Sequence, residues 1–122
     1  MDTRQPFYIF SVYQSDLIDK YNFKHHVIVL EDLDMLMIPY TVLQGTYEGK
    51  EELSILLRDK KHVEHWCDMY NQECYLESDA NGVVTFSNDE SNTLYRFNTS
   101  SIRPVTGDYT YNGETYYTLE KI

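Results

Sequence analysis

Apolar and polar positions follow two different periods along the chain, and the switches between them divide it into segments. Phe7 to Tyr13 is dense in aromatic and β-branched residues and reads as a strand, although Ser15 to Lys20 behind it leaves a helix open as the alternative. From about His25 to Met37, the residues Val27, Leu30, Leu33 and Met37 recur near helical spacing, with Ile28 and Met35 beside them. This predicts a helix that Pro39 stops. The β-branched run Val27-Ile28-Val29 also fits a strand start. Tyr40 to Gln44 and Leu53 to Leu57 are strand-like runs, and Gly45-Thr46-Tyr47-Glu48-Gly49-Lys50 between them predicts a hairpin turn or bulge. Asp59 then precedes Val63, Trp66, Cys67 and Tyr70 on one helical face, the pattern of an amphipathic helix capped by Asp59.

The remainder of the chain alternates with a period of two. Cys74 to Glu77 and Val83 to Phe86 flank Ser78-Asp79-Ala80-Asn81-Gly82, whose Asn-Gly pair predicts a second hairpin. Thr93 to Phe97 reads as the next antiparallel strand, entered through Asn88 to Asn92. Tyr109-Thr110-Tyr111 and Tyr116-Tyr117-Thr118 around Asn112-Gly113 predict a terminal hairpin within a tyrosine-rich stretch, residues 105–122. The expected order is helix, β-hairpin, helix, β-meander: an α+β domain with helices on one face of a mostly antiparallel sheet. Residues 1–24 have no firm place in that scheme. At 122 residues, with no linker and no repeat, the chain is expected to be one domain, 1–122.

Charge changes the picture. Twenty carboxylates stand against ten Lys and Arg, a formal charge of −10. Such a surface repels phosphate backbones and anionic membranes, so neither direct nucleic-acid binding nor membrane attachment is expected. The excess is uneven: between Lys61 and Arg96 there is no Lys or Arg, while Glu64, Asp68, Glu73, Glu77, Asp79, Asp89 and Glu90 lie there. Glu64 and Asp68, four apart, share a helix face. The strip reads either as a solvated face with polar turns or as a surface that imitates a phosphate backbone and docks on a basic groove. The opening residues, Met1 to Phe7, lack the basic region and apolar run of a secretory signal, and no window approaches a membrane helix; a cytoplasmic protein is expected.

Other constellations are weaker. Cys67 and Cys74 form neither a disulfide framework nor half of a zinc site, and both are expected as reduced, partly buried thiols. His62 and His65 lie three apart on the second helix with Asp68 beyond, but a metal needs three or four convergent ligands, so no metal and no cofactor is expected. His25-His26 reads as a cap or core pair. Glu51 and Glu52 are adjacent on a strand, so one faces outward and the other inward, where it needs a partner. The twelve tyrosines offer interface area with a polar tip, or cross-strand ladders; Tyr47, Tyr109 and Tyr111 are the contact candidates.

Between His26 and Tyr117 the chain resembles a family of small, mostly uncharacterised bacteriophage-encoded accessory proteins. The likeness is carried by His26, Ile38-Pro39-Tyr40, Gly45 to Ser54, Tyr70-Asn71-Gln72-Glu73-Cys74 and Asp108-Tyr109-Thr110-Tyr111. The resemblance implies a phage protein acting in the bacterial cytoplasm. Small acidic proteins of this kind often disable a host enzyme or defence complex, sometimes as DNA mimics. The expected function is therefore an inhibitor that binds a host protein with a basic or nucleic-acid-binding surface. The alternatives are a small hydrolase or ligand-binding domain using His and carboxylates near the second helix, and a homo-dimer formed by pairing tyrosine- and threonine-rich strand edges.

Overall fold

In the computed structural model, which describes residues 5–122, eight strands and two helices follow one another. They are β1 (Phe7–Phe10), α1 (Asp19–Met35), β2 (Thr41–Tyr47), β3 (Lys50–Leu57), α2 (Lys60–Met69), β4 (Leu76–Ser78), β5 (Val84–Phe86), β6 (Tyr95–Ser100), β7 (Thr110–Tyr111) and β8 (Tyr116–Lys121). The strands close into an antiparallel barrel in the order β1-β3-β2-β7-β8-β6-β5-β4. This corrects the expected α+β layout of helices against an open sheet: strand structure dominates and the sheet has no free end.

The closing stave is β1, which pairs with β3 through Phe10↔Ile55 and with β4 through Ile9↔Leu76. Both pairings join residues far apart in sequence, so no local period encodes them. The first 24 residues, unplaced from the pattern, thus supply the strand that seals the barrel; residues 1–4 lie outside those described. The expected terminal hairpin is also part of the wall. Its strand β7 pairs with β2, and β8 runs along β6 from Tyr95↔Lys121 to Ser100↔Tyr116. Every strand has a neighbour on each side, although β5 meets β6 at the single pair Val84↔Tyr95 and β7 meets β2 at only two.

The alternation of β1 and β3 sends side chains into two cores. Phe7, Ile9, Leu43 and Leu56 pack inside the barrel with Leu76 and Phe97. Phe10, Val12, Ile55 and Leu57 face outward and are covered by Val29 and Leu33 of α1 and Val63, Trp66 and Cys67 of α2. A strand buried on both faces reads as a continuous apolar run, which explains Ile55-Leu56-Leu57. Helix α1 begins at Asp19, six residues before the predicted start, because Asn22 and His26 continue its buried stripe as polar residues that an apolar count omits. The Asp59 cap of α2 forms as expected, with the Lys61 amide donating to Asp59 Oδ1 at 3.0 Å. The turn between β2 and β3 is tighter than predicted: Tyr47 pairs with Lys50, and Glu48 and Gly49 alone make the reversal with φ of 51° and 81°. Both residues at positive φ make this the primed turn that suits twisted strands.

Candidate functional site

Helix α2 carries two chemically different flanks. Lys60, Glu64, Cys67 and Asp68 form one wall of an open groove of about 310 Å³, closed on the other side by Gln72, Glu73, Cys74, Tyr75 and Ser87. Lys61, His62, His65 and Trp66 form the opposite flank, which faces Asp32 and Met35 of α1 and Leu36 at its C-terminal end across a groove of about 500 Å³. At 100° per residue, 60, 64, 67 and 68 fall together, and 61, 62, 65 and 66 fall around the helix from them.

Three of the predicted acidic residues converge on the first groove. Glu64 and Asp68 are exposed one turn apart, and Glu73 faces them from the segment after α2. The only cation in this lining, Lys60, is engaged by Glu77 at 3.5 Å, and that carboxylate holds the ammonium pKa up. Asp79 and Asp89 are occupied locally. Asp79 Oδ1 accepts from the amides of Asn81 and Val83 at the opposite end of the β4–β5 hairpin. Asp89 accepts from the Ser91 hydroxyl and amide and from the Thr93 amide at 2.6, 3.0 and 3.0 Å, ordering the loop into β6. Glu90 beside it is exposed.

Those bonds, that of the Ser91 hydroxyl foremost, hold the Asp89 carboxyl below its ordinary 3.8. A depressed carboxyl contributes stability that is present above the unfolded pKa and lost as pH falls through the folded one. Acidification below about pH 3.8 is therefore expected to expose the Ser91 and Thr93 amides to hydrogen exchange before the barrel amides. Asp89→Asn should expose them already at pH 6; simultaneous loss in the native protein would contradict this local role.

Of the tyrosine candidates, Tyr109 and Tyr111 sit on the outer wall against Tyr116, with ring centroids at 5.4 and 4.3 Å, and Arg103 lies over the Tyr109 ring at 5.4 Å. They form a cross-strand ladder. Tyr47 is half exposed at the end of β2. Its phenol is pushed up by burial and then by the nearby Cys74, Glu48, Glu52 and Glu73, so the hairpin tip lies near the α2–β4 segment.

That point is one mouth of the barrel, a place the spacing of residues did not mark. Glu52 faces inward in a lateral row made of Glu52 on β3, Gly45 on β2, Thr110 on β7 and Tyr117 on β8. Burial first, and then Asp108, push its carboxyl up to about 7. Glu52 is thus the inward member of the Glu51-Glu52 pair, and among the described residues no cation forms an ion pair with it. Asp108, which charge counting passed over, accepts from the Glu48 and Gly49 amides at 2.9 and 3.3 Å. Gln72 closes the same end by donating to the Tyr13 carbonyl at 2.6 Å. Gly45 to Ser54, Gln72 to Cys74 and Asp108 to Thr110, distant in sequence, are thereby gathered at one end of the fold.

The remaining chemistry-bearing groups are spread out. Burial, followed by Cys74, Asp68 and Glu64, pushes the Cys67 thiol up to about 12, so it is protonated at neutral pH and inert as a nucleophile. His62 Nδ1 lies 3.0 Å from Asp59, His65 packs edge-on to Trp66, and His25 packs on Tyr70. His26 is buried, and that burial lowers its pKa. No group of three or more His, Cys, Asp or Glu with metal-binding geometry occurs among the described residues, and no helix among them is long and apolar enough to cross a membrane. Neither a protein-family model nor a curated protein matches this chain.

Proposed function

We propose that the protein works by docking on a basic surface of another protein through the acidic flank of α2, with Glu64, Asp68 and Glu73 as the charged contacts and Tyr47 at the margin. The observation that carries this reading is the convergence of three carboxylates on one open groove whose single lysine is engaged by Glu77. Uncompensated like charges on one face disfavour the isolated protein, and an opposing basic surface relieves them. Asp79 and Asp89 leave the contact set because their oxygens are committed to turns. The resemblance to phage accessory proteins makes the partner a host protein of the bacterial cytoplasm, with a nucleic-acid-binding surface as its basic face. The protein then acts as an inhibitor, and a run of carboxylates standing in for phosphates is how it competes.

The immobilised protein should capture a partner from bacterial lysate at low salt and release it as salt rises, because screened charges lose their attraction within about 10 Å at 0.1 M. Against that purified partner, Glu64→Lys and Asp68→Lys are each expected to weaken binding roughly tenfold, about 1.4 kcal/mol, mainly by slowing association. Glu114→Lys, on the exposed β7–β8 turn, should leave binding unchanged. Equal effects of all three would reduce the groove to a contribution of net charge alone, and no effect at Glu64 and Asp68 would reject it.

A further inference from the structure

Helix α1 carries apolar side chains on two faces, and one of them is uncovered. Asn22, His26, Val29 and Leu33 form its buried stripe. Tyr21, Ile28 and Met35 lie about 130° round the helix from that stripe and are exposed, Met35 to 82%. Their spacing of seven drifts by only about 20° per repeat, so the three stand in one line. The charges of the same helix run against its dipole. Asp19 aside, Lys20 and Lys24 occupy the N-terminal half and Glu31, Asp32 and Asp34 the C-terminal end, with no basic residue in the last turn. A helix favours the reverse placement. Lys24 and Glu31 find no relief within the helix either. Neither has an opposite charge three or four residues away, and among the described residues neither forms an ion pair.

We propose that the exposed face of α1 joins two copies of this chain, packed antiparallel about a two-fold axis at Ile28, so that Tyr21 of each copy meets Met35 of the other. The charges that the isolated helix places badly become complementary in this pair. A two-fold axis across the helices reverses their direction and keeps each flank of the stripe on its own side. Lys24 and Glu31 share one flank, four residues before Ile28 and three after it. Lys24 of each copy therefore lies opposite Glu31 of the other. On the second flank, His25 and Asp32 stand three before and four after Ile28 and pair in the same way. The two opposed dipoles also run antiparallel. Elsewhere a chain of net charge −10 repels its copy, and salt screens that repulsion within about 8 Å. One helix of 17 residues from each copy makes a small interface, so association is weak and depends on concentration. The contact does not rest on the docking role proposed above, whose Glu64, Asp68 and Glu73 line the other flank of α2.

Sedimentation velocity of the full chain is expected to show monomer giving way to dimer between about 5 and 500 µM, with a Kd on the order of 50 µM. Trp66, the single tryptophan, lines the groove beside Met35, and its fluorescence should change over the same range. Ile28→Glu sets two carboxylates together on the axis and should leave a monomer throughout, with an unchanged circular dichroism spectrum. Lys24→Glu and Glu31→Lys should each weaken association roughly tenfold, because each alters two symmetric pairs. They do so while shifting the net charge in opposite directions. Combined in one chain, the two substitutions should restore the native affinity. Positions seven apart on a helix are separated by about 10 Å, so that rescue comes from the facing copy. A native protein that stays monomeric at the highest concentration, a dimer untouched by Ile28→Glu, or a double variant as weak as the single ones would each overturn the proposal.

Discussion

Gly45→Ala is expected to lower the melting temperature by about 10 °C or more, and Gly45→Val to prevent folding at 37 °C. A β-carbon at this position would meet the Tyr109 carbonyl oxygen at a separation no real contact tolerates, with Thr110 Cα and the Tyr109 carbonyl carbon immediately behind. All three are backbone atoms, so no side chain can rotate away. The Tyr109 carbonyl is also the acceptor for the Thr46 amide, and moving it breaks a hydrogen bond as well as the β2–β7 register. Overpacking of this kind costs about 3 kcal/mol, and here the strain falls on a two-residue strand with little pairing to spare. Thermal melts with circular dichroism decide the matter. Gly49, whose added β-carbon meets nothing, serves as a control for the loss of glycine itself, since its φ of 81° predicts a smaller cost of about 1 kcal/mol. A Gly45→Ala protein as stable as the native one would mean that β7 does not lie against β2.

Asn22→Ala is expected to destabilise the protein by about 2 kcal/mol, while Lys24→Ala on the exposed side of the same helix should change little. Asn22 is buried on the first turn of α1, where its Oδ1 accepts from the Gln14 amide at 2.7 Å and its Nδ2 donates to the Gln14 and Leu17 carbonyls at 3.0 and 3.3 Å. The residue at the helix start, Ile18, has no side chain able to cap it. The amide of Asn22 therefore organises the link between β1 and α1 from within the helix. Alanine leaves the part-buried Gln14 amide without its acceptor and takes one of two donors from the Gln14 carbonyl, which keeps the Leu17 amide at 3.1 Å, and the unpaired amide accounts for most of the loss. Chemical denaturation of both variants measures it. A cost below about 0.5 kcal/mol for Asn22→Ala would place water, rather than protein, around Gln14.

Both predictions rest on residues whose importance is invisible in one dimension. The period of apolar positions located α2, its Asp59 cap and its buried Val63, Trp66 and Cys67, because an amphipathic helix records its environment locally. The Asn-Gly turn between β4 and β5 was legible for the same reason. Even the inward position of one member of the Glu51-Glu52 pair follows from the pleat alone. The candidate acidic face was half legible: Glu64 and Asp68 share a helix face by spacing, but local order could not tell their exposed carboxylates in the groove from those of Asp79 and Asp89, which are spent on turns.

What the sequence determined by itself was the inventory of segments and the uneven charge; what only the tertiary structure decided was closure. An apolar tetrapeptide such as Phe7 to Phe10 carries no record of which strands it will join, since β pairing depends on partners as distant in sequence as Ile55 and Ser78 rather than on neighbours. Once β1 seals the wall between β3 and β4, an expected open sheet becomes a barrel with an inside. Glu52 and Asp108, ordinary in sequence, come to the same end of the fold because Gly45, with no side chain, lets the Tyr109-Thr110 backbone lie directly against β2.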